Sequence, residues 1–231
     1  MRAYVINLKS REDRWASVLQ QSERLGLPIT RIEAVNSGDS ESASPAFVAS
    51  GVAATWKSHQ IAMAAFLETS DEYGLIMEDD FLLTPSWHVS QVSRVVELGP
   101  DFFQFGYLVT SPIDRLELIL SNSFDIFLKI LNRAYSLSNQ LRRKLGSRLL
   151  LLEQRDLPFS FVPNDIRAGG QAYLVSRKFA EASRFMNTPA FTSADGMFMT
   201  LGDVRSFRMF RFRKVLIGQT NSPTSVDQRY L

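Results

Sequence analysis

Residues 75–83 read LIMEDDFLL, an apolar run that ends in three consecutive carboxylates, Glu78, Asp79 and Asp80. On a strand, alternate side chains share a face, which pairs Glu78 with Asp80 and turns Asp79 away. Two carboxylates on one face at a strand end repel each other unless a cation lies between them. A divalent ion such as Mg²⁺ or Mn²⁺ meets that need, because one or two protein carboxylates and the oxygens of a nucleotide diphosphate complete its shell. The competing reading is that the acids cap the turn leading to Pro85. With no cysteine and only two histidines, His59 and His88, disulfides and a cysteine nucleophile are excluded and a zinc cage is disfavoured.

A second carboxylate with chemical potential is Asp195, set among Ala194, Met197 and Phe198. Apolar surroundings raise a carboxyl pKa towards the range useful to a general base, whereas a helix N-cap would explain the same residue structurally. His59 is a candidate for contact with a donor phosphate or for orienting a carboxylate, set against a purely structural role. Gly169 and Gly170 suit a backbone that a ligand approaches closely, or an ordinary loop. Asn7, Lys9 and Arg11 follow the first strand, where a base or ribose sits in sheets of this kind. Arg14 serves either a diphosphate or a solvated helix face, and Gln171 and Asp165 are further candidates for touching an acceptor sugar.

These residues need a scaffold. YVINL reads as a short strand and SREDRWASVLQQSERLG as a helix, with Trp15, Val18, Leu19 and Leu25 on its apolar side and Gly26 and Pro28 as its stop. ITRIEAV is a second strand. Strand, helix and strand in about thirty-five residues form the βαβ unit of a parallel sheet. Residues 53–67 predict a buried alanine-rich helix, and YGLIMEDD a central strand with ligands collecting beyond its carboxyl end. FFQFGYLV, 102–109, predicts another buried strand, and AGGQAYLVSRKFAEASRFM a strand followed by a helix behind Ser176. FRMFRFRKVLIG alternates aromatic and basic residues, as a strand with one wet face does.

The 231 residues, 45% hydrophobic and 22% charged, suffice for one domain, 1–231, with a basic amphipathic helical insertion at 113–155. That insertion is either packed with its cations solvated or laid on anionic lipid or a partner. The N-terminal apolar run is too short for a signal sequence, and no uninterrupted apolar stretch of about 18 residues exists, so a cytoplasmic protein, with peripheral contact at the inner membrane, is expected. The net charge is +2. No phosphate loop of the form GxxxxGK[ST] and no nucleic-acid-binding motif occurs.

Several stretches, in order, resemble glycosyltransferase family 25, which includes bacterial lipopolysaccharide galactosyltransferases and collagen galactosyltransferases. YVINLKSREDRW resembles the family's opening strand and helix start, RIEAV its second strand, and Ser58-His59 its Ser-His element. LIMEDDF is similar to its acidic metal motif, GGQAYLVSRKFA to its glycine-to-strand segment, SADGMF to a later Asp motif, and QTNSPTS to its C-terminal Gln and Ser region. The chain departs from it at Ala54-Thr55, where the family tends to have Gly-Cys, at Ser193-Ala194-Asp195, where it has Pro-Val-Asp, and in residues 110–160.

The resemblance implies a GT-A type, Rossmann-like mixed α/β sheet flanked by helices, and an inverting transfer from a nucleotide-sugar donor, typically a UDP-sugar. On that reading Mn²⁺ or Mg²⁺ is expected at Asp80 and Glu78, nucleotide contacts from Asn7, Lys9, Arg11, Arg14, His59, Glu78, Asp79 and Gly170, and Asp195 is the candidate base. The acceptor would be a saccharide or glycolipid of cell-surface polysaccharide or lipopolysaccharide synthesis. Competing expectations are another metal-dependent nucleotide enzyme, such as a nucleotidyltransferase, and a non-catalytic membrane adaptor.

Overall fold

The structure, a computed structural model, describes residues 1–38, 48–108, 161–204, 207–212 and 215–220. The insertion expected at 113–155 and the C-terminal stretch from 221 lie outside the described residues. The chain divides into two compact units, Met1–Leu108 with Pro163–Arg211 and Val215–Leu231, and Val109–Val162 with Phe212–Lys214. Every site residue considered below belongs to the first.

The elements run β1 (Arg2–Asn7), α1 (Glu12–Leu25), β2 (Ile29–Glu33), α2 (Ser50–Leu67), β3 (Tyr73–Glu78), β4 (Phe81–Leu83), α3 (Ser90–Glu97), β5 (Phe102–Gly106), β6 (Phe161–Pro163), β7 (Ala172–Ser176), α4 (Arg177–Ser183), α5 (Ala194–Val204), β8 (Met209–Phe212) and β9 (Ile217–Gln219). Among the described residues they form a mixed α/β architecture: a seven-stranded sheet ordered β2-β1-β3-β7-β5-β8-β6 and a two-stranded ribbon, β4-β9. β1 runs parallel to both β2 and β3, and β7 is antiparallel to β3 and β5.

The chain leaves β1 for β2 on one side and returns past it to β3 on the other. Such a reversal opens a crevice at the carboxyl ends of β1 and β3, which is where ligands bind in sheets of this type. The sheet is buried because its strands are covered on both faces; Ala3, Tyr4, Val5, Leu75, Ile76 and Met77 are almost wholly excluded from solvent.

Helix α1 stops where expected. Gly26 takes φ +73° and donates its N–H to Ser22 O, a left-handed cap available to glycine at little steric cost. The helix buries Val18 and Leu25 but leaves Leu19 exposed, while Trp15 lies under the Arg31 guanidinium at 4.9 Å. Ser176 caps α4 through Phe179 N–H, in agreement with its sequence position. At the far side of the core, Phe198 of α5 packs against Tyr173 at 4.8 Å, Phe102 at 4.9 Å and Trp56 at 6.0 Å between ring centres. This aromatic cluster fixes α5, and with it Asp195, against the sheet.

Two expectations change. The strand expected over 102–109 stops at Gly106. β8 has no wet basic face, because Arg211 is fully buried and ion-paired with Asp165, which also accepts from Arg211 Nε through its carbonyl at 2.7 Å. A basic residue within an aromatic strand reads as solvent-facing unless its carboxylate partner is known, and Asp165 lies 46 residues away.

Candidate functional site

The acidic turn follows directly from β3. The strand ends at Glu78, Asp79 and Asp80 form a turn, and Phe81 begins β4. Strand alternation therefore stops one residue before Asp79, and the expected separation of faces fails. All three acids line one open cleft with Arg14, Ser58 and His59. Its empty volume is about 800 Å³, a figure that includes open solvent at the mouth.

Helix α1 and β9 hold this turn from two sides. Gln21 donates to Phe81 O at 2.9 Å and accepts from Leu83 N–H at 2.8 Å. Thr220 N–H donates to Asp80 O at 2.8 Å, and the Gln219 amide donates to Asp80 Oδ2 at 2.8 Å.

Asp79 is the structural member of the trio. It accepts from Asn7 Nδ2 at 2.6 Å and from Arg14 at 2.8 Å, and Arg14 also lies 3.7 Å from Asp80 Oδ2. Asn7 and Arg14, separate in the chain, thus converge at the crevice. Lys9 and Arg11 do not join them. Lys9 is exposed, and Arg11 forms a bidentate pair with Asp13, whose carboxyl it holds down at about 2. Asp165 is likewise engaged elsewhere, with Arg211 and Arg167.

Asp80 is 3% exposed, and its Oδ1 has no hydrogen-bond partner. Burial, followed by repulsion from Glu78, pushes its pKa up to about 6 against the opposing pull of Gln219 and Arg14. A buried carboxylate oxygen without a partner is costly. Among the described residues no three His, Cys, Asp or Glu side chains cluster closely enough to hold a metal unaided. The oxygens this turn has to offer a cation are those of Glu78 and the unpartnered Asp80 Oδ1, fewer than a cation needs without oxygens from a further ligand.

Close to Glu78, on the other side of the Gly170 backbone, lies Asp195, in the first turn of α5. It does not cap the helix. Ser193 does so, its Oγ accepting from Gly196 N–H at 3.0 Å. Burial raises the Asp195 pKa to about 6, helped by the Glu78 charge and opposed by the Gly169 N–H it accepts from and by His59. At neutral pH it is a charged carboxylate with more than ordinary basicity.

The glycine pair fits between these carboxylates. A Cβ on Gly170 would lie 2.9 Å from Glu78 Oε1, 3.3 Å from Asp195 Oδ1 and 3.3 Å from His59 Cε1. Gly169 adopts φ +116°, a conformation that side chains resist. Gln171 is buried beside them and donates to Gln219 Oε1 at 3.2 Å.

Of three further contributors, Ser58 and Gln219 figure in the sequence only within motifs that resemble the family's, and Tyr173 was missed. Ser58 tethers α2 to the segment after β2, donating to Ala54 O at 2.8 Å and accepting from Val35 N–H at 2.9 Å. Gln219 reaches Asp80 from 139 residues away. Tyr173 sits in the apolar run AYLV and reads as plain core, yet its hydroxyl lies 2.7 Å from His59 Nδ1.

Among protein-family models none matches the chain, and no curated protein matches it significantly.

Proposed function

We propose that the protein is a metal-assisted, inverting glycosyltransferase. It takes a sugar, with galactose one candidate, from a UDP-sugar and passes it to a saccharide or glycolipid acceptor of cell-surface polysaccharide or lipopolysaccharide synthesis. The observation that carries this reading is Asp80, buried with an unpartnered oxygen in the turn after β3 and lining one cleft with Glu78, while Asp195 lies close to Glu78 about Gly170. The motif resemblance to glycosyltransferase family 25 and its GT-A type fold supports the same reading.

Asp80 and Glu78 would hold Mn²⁺ or Mg²⁺, which when bound neutralises charge gathering on the departing diphosphate. Arg14 adds positive charge beside the same turn and holds Asp79 in place. Asp195 takes the proton from the acceptor hydroxyl as that oxygen bonds to the anomeric carbon and the bond to the diphosphate breaks. Leu8 and the loop after β2, Ala34 to Ser37, line the cleft where the nucleoside would lie. Among the described residues no helix is long and apolar enough to cross a membrane. Work on a glycolipid acceptor then calls for peripheral contact at the inner membrane face, as expected of the basic stretch 113–155.

A nucleotidyltransferase would also use acids at a strand end. Turnover of UDP-hexoses and of nucleoside triphosphates, each with Mn²⁺, separates the two. The expected result is UDP release from at least one UDP-hexose, accelerated by a saccharide acceptor, with triphosphates unchanged. Triphosphate turnover with intact UDP-hexoses would refute the proposal.

A further inference from the structure

Both carboxylates that the donor-site reading assigns to the cation are tied to one residue outside the acidic turn. Gln171, immediately before β7, accepts from Glu78 N–H through its carbonyl at 3.0 Å. Its side chain donates to Gln219 Oε1 at 3.2 Å, and the Gln219 amide donates in turn to Asp80 Oδ2 at 2.8 Å.

The direction of this chain of hydrogen bonds is fixed by its last member. A carboxylate only accepts, so the Gln219 group beside Asp80 is its NH2. That turns Gln219 Oε1 towards Gln171, which must present its own NH2, because two amide oxygens would repel each other there. One oxygen is then left over at each end: among the described residues, neither Asp80 Oδ1 nor Gln171 Oε1 has a hydrogen-bond partner. Gln171 is 2% exposed, and an unpaired amide oxygen at that depth is unfavourable. A methionine of similar length would fill the space without it. The amide makes sense if its contribution is the donor.

The surrounding backbone makes room for the contact. A Cβ on Gly169 would collide with Gln171 Oε1, and one on Gly106 would collide with Ile217 O of β9, the strand that ends in Gln219. Glycine at these two positions seats the Gln171 amide and lets β9 lie close to the end of β5, where Leu216 N–H donates to Phe105 O at 3.1 Å.

We infer that Gln171 and Gln219 form an amide relay that positions the cation-binding pair. Gln219 holds Asp80 by Oδ2 and leaves Oδ1 for the cation, and Gln171 fixes the direction in which Gln219 donates. Gln171 is therefore a positioning residue that acts through Gln219, in place of the acceptor contact expected of it. The inference rests on the donor-site reading above for what Asp80 binds.

Two measurements on the full-length protein test it. In nitrogen–proton spectra of the side-chain amides, with Gln219 assigned by its loss in Gln219→Met, the Gln219 NH2 should give two well-separated proton signals, the downfield one from the hydrogen held by Asp80. Gln171→Met should draw the two together, although Gln171 does not touch Asp80; an unchanged pair overturns the relay. Gln171→Asn, one methylene too short to reach Gln219, is read in the same way if the methionine variant does not fold. The second measurement is the Mn²⁺ concentration that half-saturates UDP binding, followed by calorimetry. Gln219→Met and Gln171→Met should each raise it by about tenfold, while UDP affinity at saturating Mn²⁺ stays near that of wild type. The double variant should match Gln219→Met, because Gln171 then has nothing to act through. A rise of about a hundredfold in the double variant, the product of two independent effects, overturns the relay, as does equal weakening of UDP binding at every Mn²⁺ concentration. If wild type binds no UDP with Mn²⁺, the donor-site reading fails, and the amide spectra alone decide the relay: signals that draw together in Gln171→Met retain it, and an unchanged pair removes it.

Discussion

Asp195→Asn is expected to lower sugar transfer by about 10²–10⁴-fold while nucleotide binding persists, because the substitution removes the proton acceptor and keeps the shape. The same substitution should make the protein more stable at neutral pH. The folded carboxyl has a pKa of about 6, above its ordinary 3.8, so the fold favours the protonated form. Its contribution is fully present below the ordinary value and is lost as pH rises through about 6. At pH 7 wild type therefore bears a burial penalty that Asn lacks, on the order of 2 kcal/mol, or a melting temperature about 5 °C lower than the variant's. Below about pH 4 the two should converge. Thermal melts at both pH values check this, and kcat/KM of wild type should rise through pH 6 as Asp195 ionises. A variant that loses transfer and also melts lower at neutral pH would mean that Asp195 holds the fold and is not the base.

Arg14→Leu is the second large effect, and it acts on stability first. Asp79 is nearly buried, and Arg14 is its charge partner at 2.8 Å. Removing one member of a buried pair leaves an uncompensated charge and costs about 3–5 kcal/mol. For a chain of this size the melting temperature should drop by about 10 °C. The double variant Arg14→Leu/Asp79→Asn should recover most of that loss, since the amide replacing the Asp79 carboxylate carries no charge and still pairs with Asn7. Urea unfolding of the two single variants and the double variant gives the coupling directly. Additive losses would show that the Arg14–Asp79 pair does not organise the turn.

The first half of the fold was legible because its signals are local. YVINL, the α1 periodicity ending at Gly26, and YGLIM each state their element within a few residues, and the parallel order of β1 and β3 follows from the helices between them. The identity of the acids was legible for the same reason. Their arrangement was not, because it depends on where β3 stops, and two residues of turn bring Asp79 into the cleft that strand alternation would have turned it from.

Partners drawn from distant segments left no local trace. Tyr173 reaches His59 across 114 residues and Gln219 reaches Asp80 across 139, so neither pairing has a spacing to read. Arg211 in an aromatic strand looked solvated until Asp165 was found against it. Asp195 shows the reverse case: its sequence position allowed a helix cap, and the Ser193 Oγ bond to Gly196 N–H shows that Ser193 is the cap and leaves Asp195 as a buried carboxylate close to Glu78.

The central claim is that the EDD turn is a cation-dependent donor site. Calorimetric titration of UDP, with and without Mn²⁺, into wild type and Asp80→Ala tests it most directly. The account predicts UDP binding that requires Mn²⁺ and disappears in Asp80→Ala while the variant remains folded. UDP binding that is indifferent to both the metal and Asp80, or no UDP binding by wild type with Mn²⁺ present, would contradict it.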